Sequence, residues 1–428
     1  MKRPFRTGLV AGLLALTLAG AACGSGSSSS EAQKPVKSDG AVSSSTTPAT
    51  PDTSAPAVGA APTPAGAPAA AASPAPAATT ATTAKKPVAP AKPAAPAAKP
   101  APKPTTTTTA KKEPVTLRLG YFPNVTHASA IAGIETGIFA DKLGQDVNLK
   151  TNIFNAGGAA TEALFSGAID ATFIGPSPSI NAFAKSKGEA LRIIAGATSG
   201  GAALVVKPNI NSAADLKGQR VATPQLGNTQ DVALRAWLLG QGLKTDTQGG
   251  GDVKIVPQEN GQTLETFKSN QIAGAWVPEP WATRLVREGG GKVLVDERTL
   301  WPGGQFVTTN LIVSTSFLKA HPDVIERLLA GHIAATDWVN QNTADAQDIV
   351  NAGIAKVTGQ AMNVDVIKAS WSSMSFTFDP LAATLHKGAD DAKKVGLLAE
   401  STKLDGIYDL SLLNKLLAAA GKPPVSDR

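Results

Sequence analysis

From Val115 onward, short apolar or alternating runs take turns with stretches of helical periodicity. Val115-Thr-Leu-Arg-Leu-Gly-Tyr121 alternates at period two, the pattern of a strand, and residues 129–139 read as a helix. Further strands are predicted at 146–154, 168–174, 191–197 and 202–207, with helices at 159–166 and 179–187 between them. A second alternating block begins at 216–223. It continues with helices at 231–240, 263–269 and 280–288 and strands at 253–256, 273–277 and 292–296. An apolar strand at 305–314 leaves that block, and 316–420 is dominated by helical patterns. Strand–helix alternation with short loops predicts an α/β fold with mostly parallel sheets, arranged as two lobes with a helical C-terminal region.

The residues before this body have another texture. Residues 24–112 are almost entirely Ala, Pro, Thr, Ser, Gly and Lys, without an aromatic residue, so they have no means of burying a core. Proline-rich chain favours extended polyproline II, and a tether of this length reaches on the order of 100–250 Å. Residues 1–22 have the layout of an export signal: Lys2, Arg3 and Arg6, an apolar run from Gly8, and the small residues Ala19-Gly20-Ala21-Ala22 before Cys23. Cys23 is the sole cysteine of the 428 residues, which excludes an intramolecular disulfide and any multi-cysteine metal site. Its setting resembles the lipobox of bacterial lipoproteins, with Gly20 where leucine is usual. That resemblance implies a lipid on Cys23 and anchorage at the outer face of the plasma membrane.

Charge follows the same division. Of the net +7, the leader carries +3, and residues 24–112 carry nine lysines against three acids, leaving −2 for residues 113–428. The basic balance therefore belongs to leader and tether, and nucleic-acid binding by the body loses its compositional support. The four histidines (His127, His321, His332 and His386) lack ligand spacing, so no metal or other cofactor is expected.

Three predicted strand ends lead through small polar residues into a helix: Asn155-Ala-Gly157-Gly158, Gly175-Pro-Ser177-Pro-Ser179 and Gln225-Leu-Gly227-Asn228-Thr229. Helix N-termini attract negative charge, glycine allows close approach to the backbone, and ligands of open α/β sheets sit outside the strands' carboxyl ends. Capping alone explains any one such loop; three of them point to one cleft. Tyr121-Phe-Pro-Asn124-Val-Thr126-His127 puts an aromatic ring, an amide, a hydroxyl and an imidazole after the first strand, and Thr198-Ser199 adds hydroxyls before the first lobe crossing. Trp276, Trp281 and Trp301 offer apolar walls or simple packing. Glu279 is either an acceptor for an amino-bearing ligand or a structural brace.

These residues resemble the solute-binding proteins of bacterial ABC importers for nitrate, taurine and aliphatic sulfonates, and the related pyrimidine-precursor binders. The resemblance rests on Gly120-Tyr-Phe-Pro-Asn-Val-Thr-His-Ala128, Asn155-Ala-Gly-Gly158, Gly167-Ala-Ile-Asp170, Gly175-Pro-Ser-Pro178 and Trp276-Val-Pro-Glu-Pro-Trp281. It implies a two-lobed type II periplasmic-binding fold. Lobe I would comprise 113–206 and 311–428 and lobe II 207–310, with crossings near 205–207 and 308–312. It also implies Asn124, Thr126, Gly158, Ser177, Thr198, Asn228 and Trp276 as ligand-facing. The nitrate branch sets a cationic side chain against its anion; no lysine or arginine here matches it, and neutral donors with indole suit a sulfonate better. An ABC permease with its cytoplasmic ATPase is the implied partner of a monomeric binder. Pyrimidine, thiamine-precursor or amine binding through Glu279 is the alternative ligand class.

Enzymatic activity is not expected. Ser316-Phe-Leu-Lys319 has SxxK spacing, but the SDN and KTG motifs that accompany it in penicillin-interacting enzymes are missing. A surface lipoprotein that kept only the fold is the remaining reading.

Overall fold

The computed structural model describes residues 113–428. The expected export signal, Cys23 and the tether lie outside the described residues. The body opens with β1 (Val115–Tyr121), a short 3-10 turn (Val125–His127), α1 (Ala128–Glu135) and α2 (Ile138–Leu143). The helix predicted over 129–139 is thus divided, because Gly137 takes a left-handed φ of 79° and restarts the chain at a new angle. Next come β2 (Val147–Ile153), α3 (Gly157–Phe165), β3 (Ala171–Ile174), α4 (Pro176–Lys185) and β4 (Leu191–Gly200). The second block holds β5 (Ala202–Val206), β6 (Arg220–Thr223), α5 (Thr229–Gly240), β7 (Lys254–Pro257), α6 (Asn260–Lys268), β8 (Gly274–Pro278), α7 (Trp281–Arg287) and β9 (Lys292–Asp296). The chain returns through β10 (Val307–Ser314) into α8 (Thr315–Ala320), α9 (Pro322–Gln341), α10 (Thr343–Thr358), α11 (Val364–Trp371), β11 (Met374–Phe376), α12 (Ala382–Lys394) and α13 (Ser411–Ala419).

The strands form two sheets, β11-β4-β10-β3-β1-β2 and β7-β6-β8-β5-β9. Within each, consecutive strand–helix units pair in parallel: β1 with β2 and β3, and β6 with β7 and β8. The strand arriving from the other lobe runs antiparallel: β10 between β3 and β4, and β5 between β8 and β9. Such a strand enters from the cleft end of the sheet, so it runs against the lobe's own strands.

This pairing fixes the crossings. β5 is a full member of the second sheet, so the first crossing falls at Gly200–Gly201, earlier than the expected 205–207. β10 pairs with β4 from Val307 onward, so the return lies in the segment before it, earlier than 308–312. Gly200 and Gly201 carry φ of 81° and 75°, a consecutive left-handed pair that side chains would strain. The Gly200 N–H donates to the Phe306 carbonyl at 3.0 Å, tying the two crossings together.

Both faces of each sheet are covered. Leu117, Leu119, Phe173, Leu311 and Val313 pack under α1, α2 and α9, while Ile174, Ile193 and Ile312 face α4 and α12. Strands buried on both sides read as continuous apolar runs, as Ala202-Ala-Leu-Val-Val206 does. Val232 of α5 belongs to the same apolar cluster as Ile180 of α4 and Leu385 of α12, so the second lobe is packed against the first.

Candidate functional site

The parallel strands of both lobes end at the same cleft, and their carboxyl ends release the chain into helices. β2 feeds α3, β3 feeds α4, β6 feeds α5 and β7 feeds α6. These four N-termini converge on a cavity of about 40 Å³, room for roughly three water molecules at about 10–15 Å³ each. Its wall includes Asn155, Ala156 and Gly157 at α3, Gly175 and Pro178 at α4, Asn228, Thr229 and Gln230 at α5, and Asn260 at α6. Phe122, Asn124, Thr126 and His127 close one side, and Pro224, Pro278, Thr308 and Thr309 complete it.

The electrostatics follow from these ends. The caps Ala156 and Gly175 have no side chain to satisfy the first-turn amides, and Glu259 before α6 makes no capping bond. Only α5 is capped, by Asn228 Oδ1 accepting from the Asp231 N–H at 3.0 Å. Positive dipole ends from both lobes therefore face a space that, among the described residues, no acidic side chain lines. Pro176 and Pro178 lack amide hydrogens, so α4 contributes its dipole more than its donors.

Side-chain donors are oriented by bonds behind them. The His127 ring stacks on Phe122 with centroids 4.6 Å apart, and its Nδ1 accepts from the Phe122 N–H at 3.3 Å. Burial holds this imidazole far below its ordinary value, at about 3, so it is neutral. With Nδ1 accepting, the hydrogen bond assigns the proton to Nε2 and makes that atom the donor. Asn124 Oδ1 accepts from the Trp281 indole N–H at 3.0 Å, so its NH2 group is what the amide has to offer the cavity. The buried amide oxygen of Asn260 has no hydrogen-bond partner among the described residues. Rotating that amide presents either an acceptor or a donor.

The lobes are closed on one another across this cavity. Besides Asn124–Trp281, the Gly158 N–H donates to Gln225 Oε1 at 2.9 Å, and Asn155 Nδ2 to Glu259 Oε1 at 3.2 Å. Asn181 Nδ2 donates to the Gly227 carbonyl at 3.2 Å, and the Ser177 N–H to Thr229 Oγ1 at 3.4 Å. A Cβ on Gly175 would lie 2.6 Å from Thr229 Oγ1, so the lobes meet where the chain has no side chain.

A sequence profile of the NMT1-like family matches residues 110–355, more than half of the chain. The chain belongs to the NMT1-like family. The taurine-binding periplasmic protein of Escherichia coli is 28% identical over 197 residues, 46% of this chain and 58% of that protein. Among solved structures, the NMT1-like chain matches the alkanesulfonate-binding protein SsuA of Xanthomonas axonopodis pv. citri, bound to MOPS, with a TM-score of 0.56 at 21% identity over 68% of this chain and 96% of that one. The periplasmic nitrate-binding protein NrtA of Synechocystis PCC 6803 gives 0.63 at 19% identity, covering 73% and 90%. This NMT1-like protein is thus related to the nitrate-, taurine- and sulfonate-binding proteins and has the two-lobed type II periplasmic-binding architecture.

Of the residues singled out in the sequence, Asn124, Thr126, His127, Gly157, Asn228 and Thr229 line the cavity of this family member. Gly158, Ser177 and Gly227 make the lobe-to-lobe bonds just described. Thr198 Oγ1 donates to the Thr126 carbonyl at 2.6 Å and fixes the loop behind it, and Ser199 Oγ accepts from the Phe306 N–H at the crossing. Tyr121 is buried in the first lobe's core. Trp276 lies in the second lobe's core, its indole donating to Glu297 Oε2 at 2.7 Å. Trp301 stacks on Phe306 at the return crossing, with Lys387 Nζ 4.3 Å from its ring centroid.

Glu279 is turned away from the cavity. It accepts from the N–H and hydroxyl of Thr283 and from the hydroxyls of Ser370 and Ser373, joining α7 to α11 across the lobes. Burial raises its carboxyl while these bonds pull the other way. Glu279→Ala strands a buried amide and three hydroxyls beside a new void, and is expected to lower unfolding free energy by about 2–4 kcal/mol. Hydroxyls can reverse direction toward an amide, so Glu279→Gln should cost about 1 kcal/mol. Urea unfolding of both variants measures the difference.

The sequence reading passed over Asn260, Gln230, Thr308 and Thr309. Asn260 opens α6 at a point where the helical pattern is not yet readable, since it becomes so only from Thr263, and the threonines lie within an apolar run.

Buried neutral His127 also makes stability depend on pH. Its folded value of about 3 lies below the ordinary 6.5, so the unfolded chain takes up a proton first as pH falls. The contribution of this histidine is fully present above 6.5 and is lost progressively toward pH 3. Wild type should therefore lose stability relative to His127→Gln by about 1.4 kcal/mol per pH unit across that window. Denaturant unfolding of both proteins at several pH values checks the slope.

Proposed function

We propose that this protein captures a small organic anion, an aliphatic sulfonate or taurine, between its lobes and delivers it to an ABC permease driven by a cytoplasmic ATPase. The observation that carries this reading is the convergence of four helix N-termini from both lobes on one cavity that no charged side chain of the described residues lines. Such ends bind anions without a fixed cation, and neutral donors at Asn124 and His127 add directional bonds. A sulfonate has three acceptor oxygens for these groups and a tail for apolar wall. The named ligands of relatives, taurine and alkanesulfonates among them, support the same class.

Binding works by population: ligand bridging both lobes stabilises the closed form, which a permease then recognises. No covalent step is needed. The proposal includes export, a lipid on Cys23 and a long tether holding the body clear of the membrane. Calorimetric titration of the full chain with methanesulfonate, taurine, butanesulfonate and nitrate tests it. Saturable binding of sulfonates is expected, and no binding by any sulfonate overturns the reading.

A further inference from the structure

One buried carboxyl takes no part in the cavity. Glu297 opens the 3-10 turn after β9, at the second-lobe end of the return crossing, and only 1% of it is exposed. It holds two indoles. The Trp276 N–H from β8 donates to its Oε2 at 2.7 Å, and the Trp301 side chain also bonds to the carboxyl. Trp301 in turn stacks on Phe306, whose carbonyl ties the two crossings together. The hinge is therefore braced through the oxygen atoms of one side chain.

The charges around it come from both lobes. Among the described residues, Lys387 and Asp296 are the charged groups that act on this carboxyl. Lys387 belongs to α12 of the first lobe, lies 4.3 Å from the Trp301 ring centroid, and pairs with Asp391 at 2.6 Å. Asp296, the neighbour in sequence, pairs with Arg298 at 2.6 Å. Burial, set against the bonds from both indoles and the attraction of Lys387, raises the carboxyl to about 7.

We infer that Glu297 is a pH-sensitive strut of the hinge, which favours closed lobes when ionised and relaxes them when it takes up a proton. The sign follows from which lobe owns each partner. Trp276 is in the second lobe and Trp301 follows Glu297 by one turn, so both indoles stay with the carboxyl when the lobes part. Lys387 leaves with α12. An ionised Glu297 thus loses its compensating charge on opening, while a neutral acid has none to lose. Protonation also turns one oxygen into a donor, so one indole gives up its acceptor. Closure is then linked to proton release and strengthens as pH rises through about 7. The inference uses the lobe closure of the reading above, and not the identity of the solute.

The test is nuclear magnetic resonance of the full chain labelled with 15N-tryptophan. It is run without ligand, so failure of sulfonates to bind leaves it decisive. Indole signals are assigned with single Trp→Phe variants. From about pH 5.5 to about 8.5, the Trp276 and Trp301 signals should shift together with a midpoint near 7. The Trp281 N–H reports the lobes, because it bonds to Asn124 across the cleft. Its hydrogen exchange, taken relative to Glu297→Gln at the same pH, should be equal at the acid end. At the alkaline end it should be about two- to fivefold slower. Lys387→Gln, at a half-exposed position, should remove this slowing while Trp276 and Trp301 still titrate with a higher midpoint. It also serves as the reference should Glu297→Gln fail to fold. Trp276 and Trp301 signals that stay flat over the range overturn the inference. So does a Trp281 exchange ratio that is flat, that rises with pH, or that keeps its slowing in Lys387→Gln.

Discussion

Replacing Gly175 with valine is expected to abolish ligand binding, by at least 100-fold, while leaving the unfolding midpoint close to wild type. Gly175 caps α4 with φ −69° and ψ 158°, extended backbone that any residue adopts, so valine brings no strain of its own. What it brings is volume. The added Cβ would lie 2.6 Å from Thr229 Oγ1, on the other lobe, and that atom sits on a short side chain at the start of α5. The closed form has no room for it, and the open form does. A penalty of about 2.7 kcal/mol confined to the closed form is a factor of 100 in affinity. Gly158→Ala provides the contrast: its Cβ meets the end of the Gln225 side chain, which can swing aside, so a loss of tenfold or less is expected. Titration and small-angle scattering on the two variants separate blocked closure from general damage. Wild-type affinity in Gly175→Val would mean that the lobes do not meet there when ligand is bound.

Asp231→Ala should be the most destabilising single change near the site, at about 3–5 kcal/mol. Asp231 and Arg235 form an ion pair at 2.9 Å in which both side chains are completely buried. The carboxylate also accepts from the Gly227 N–H at 2.8 Å and from Thr223 Oγ1 at 3.2 Å, so it shapes the loop that carries Asn228 and Thr229 to the cavity. Its removal strands a buried guanidinium, one of whose amino groups, Nη2, already lacks a partner among the described residues. Adding Arg235→Met takes the stranded charge away and should recover at least half of the loss, because a dry pair replaced by apolar volume often costs little. Urea unfolding gives both values. A loss below about 1 kcal/mol in the single variant would show that the pair is hydrated.

Much of this arrangement is written locally, and that part is legible. The strand–helix alternation gives the fold class, and predicted and observed elements such as 191–197 and Leu191–Gly200 overlap closely. Glycine and small polar residues after β2, β3 and β6 mark the loops that form most of the cavity wall, because close approach and uncapped helix starts leave a local signature. What depends on partners distant in sequence is not legible. All five residues of β8 are buried, so no alternation tells which face of Trp276 meets the core and which the cleft. Glu279 reads as ligand acceptor or brace until Ser370 and Ser373 arrive from α11. The crossings are misplaced by a few residues for a similar reason: β5 is apolar throughout, and only its pairing with β8 assigns it to the second sheet. β11, three residues long, is too short for a period to register.

A crystal structure of the protein grown with methanesulfonate puts the anion reading to its most direct trial. The account predicts closed lobes, with the sulfonate oxygens within hydrogen-bond distance of Asn124 Nδ2, His127 Nε2 and first-turn amides of α3 or α5. A sulfonate found outside this cleft, or closed lobes whose cavity holds only water at saturating ligand, would contradict it.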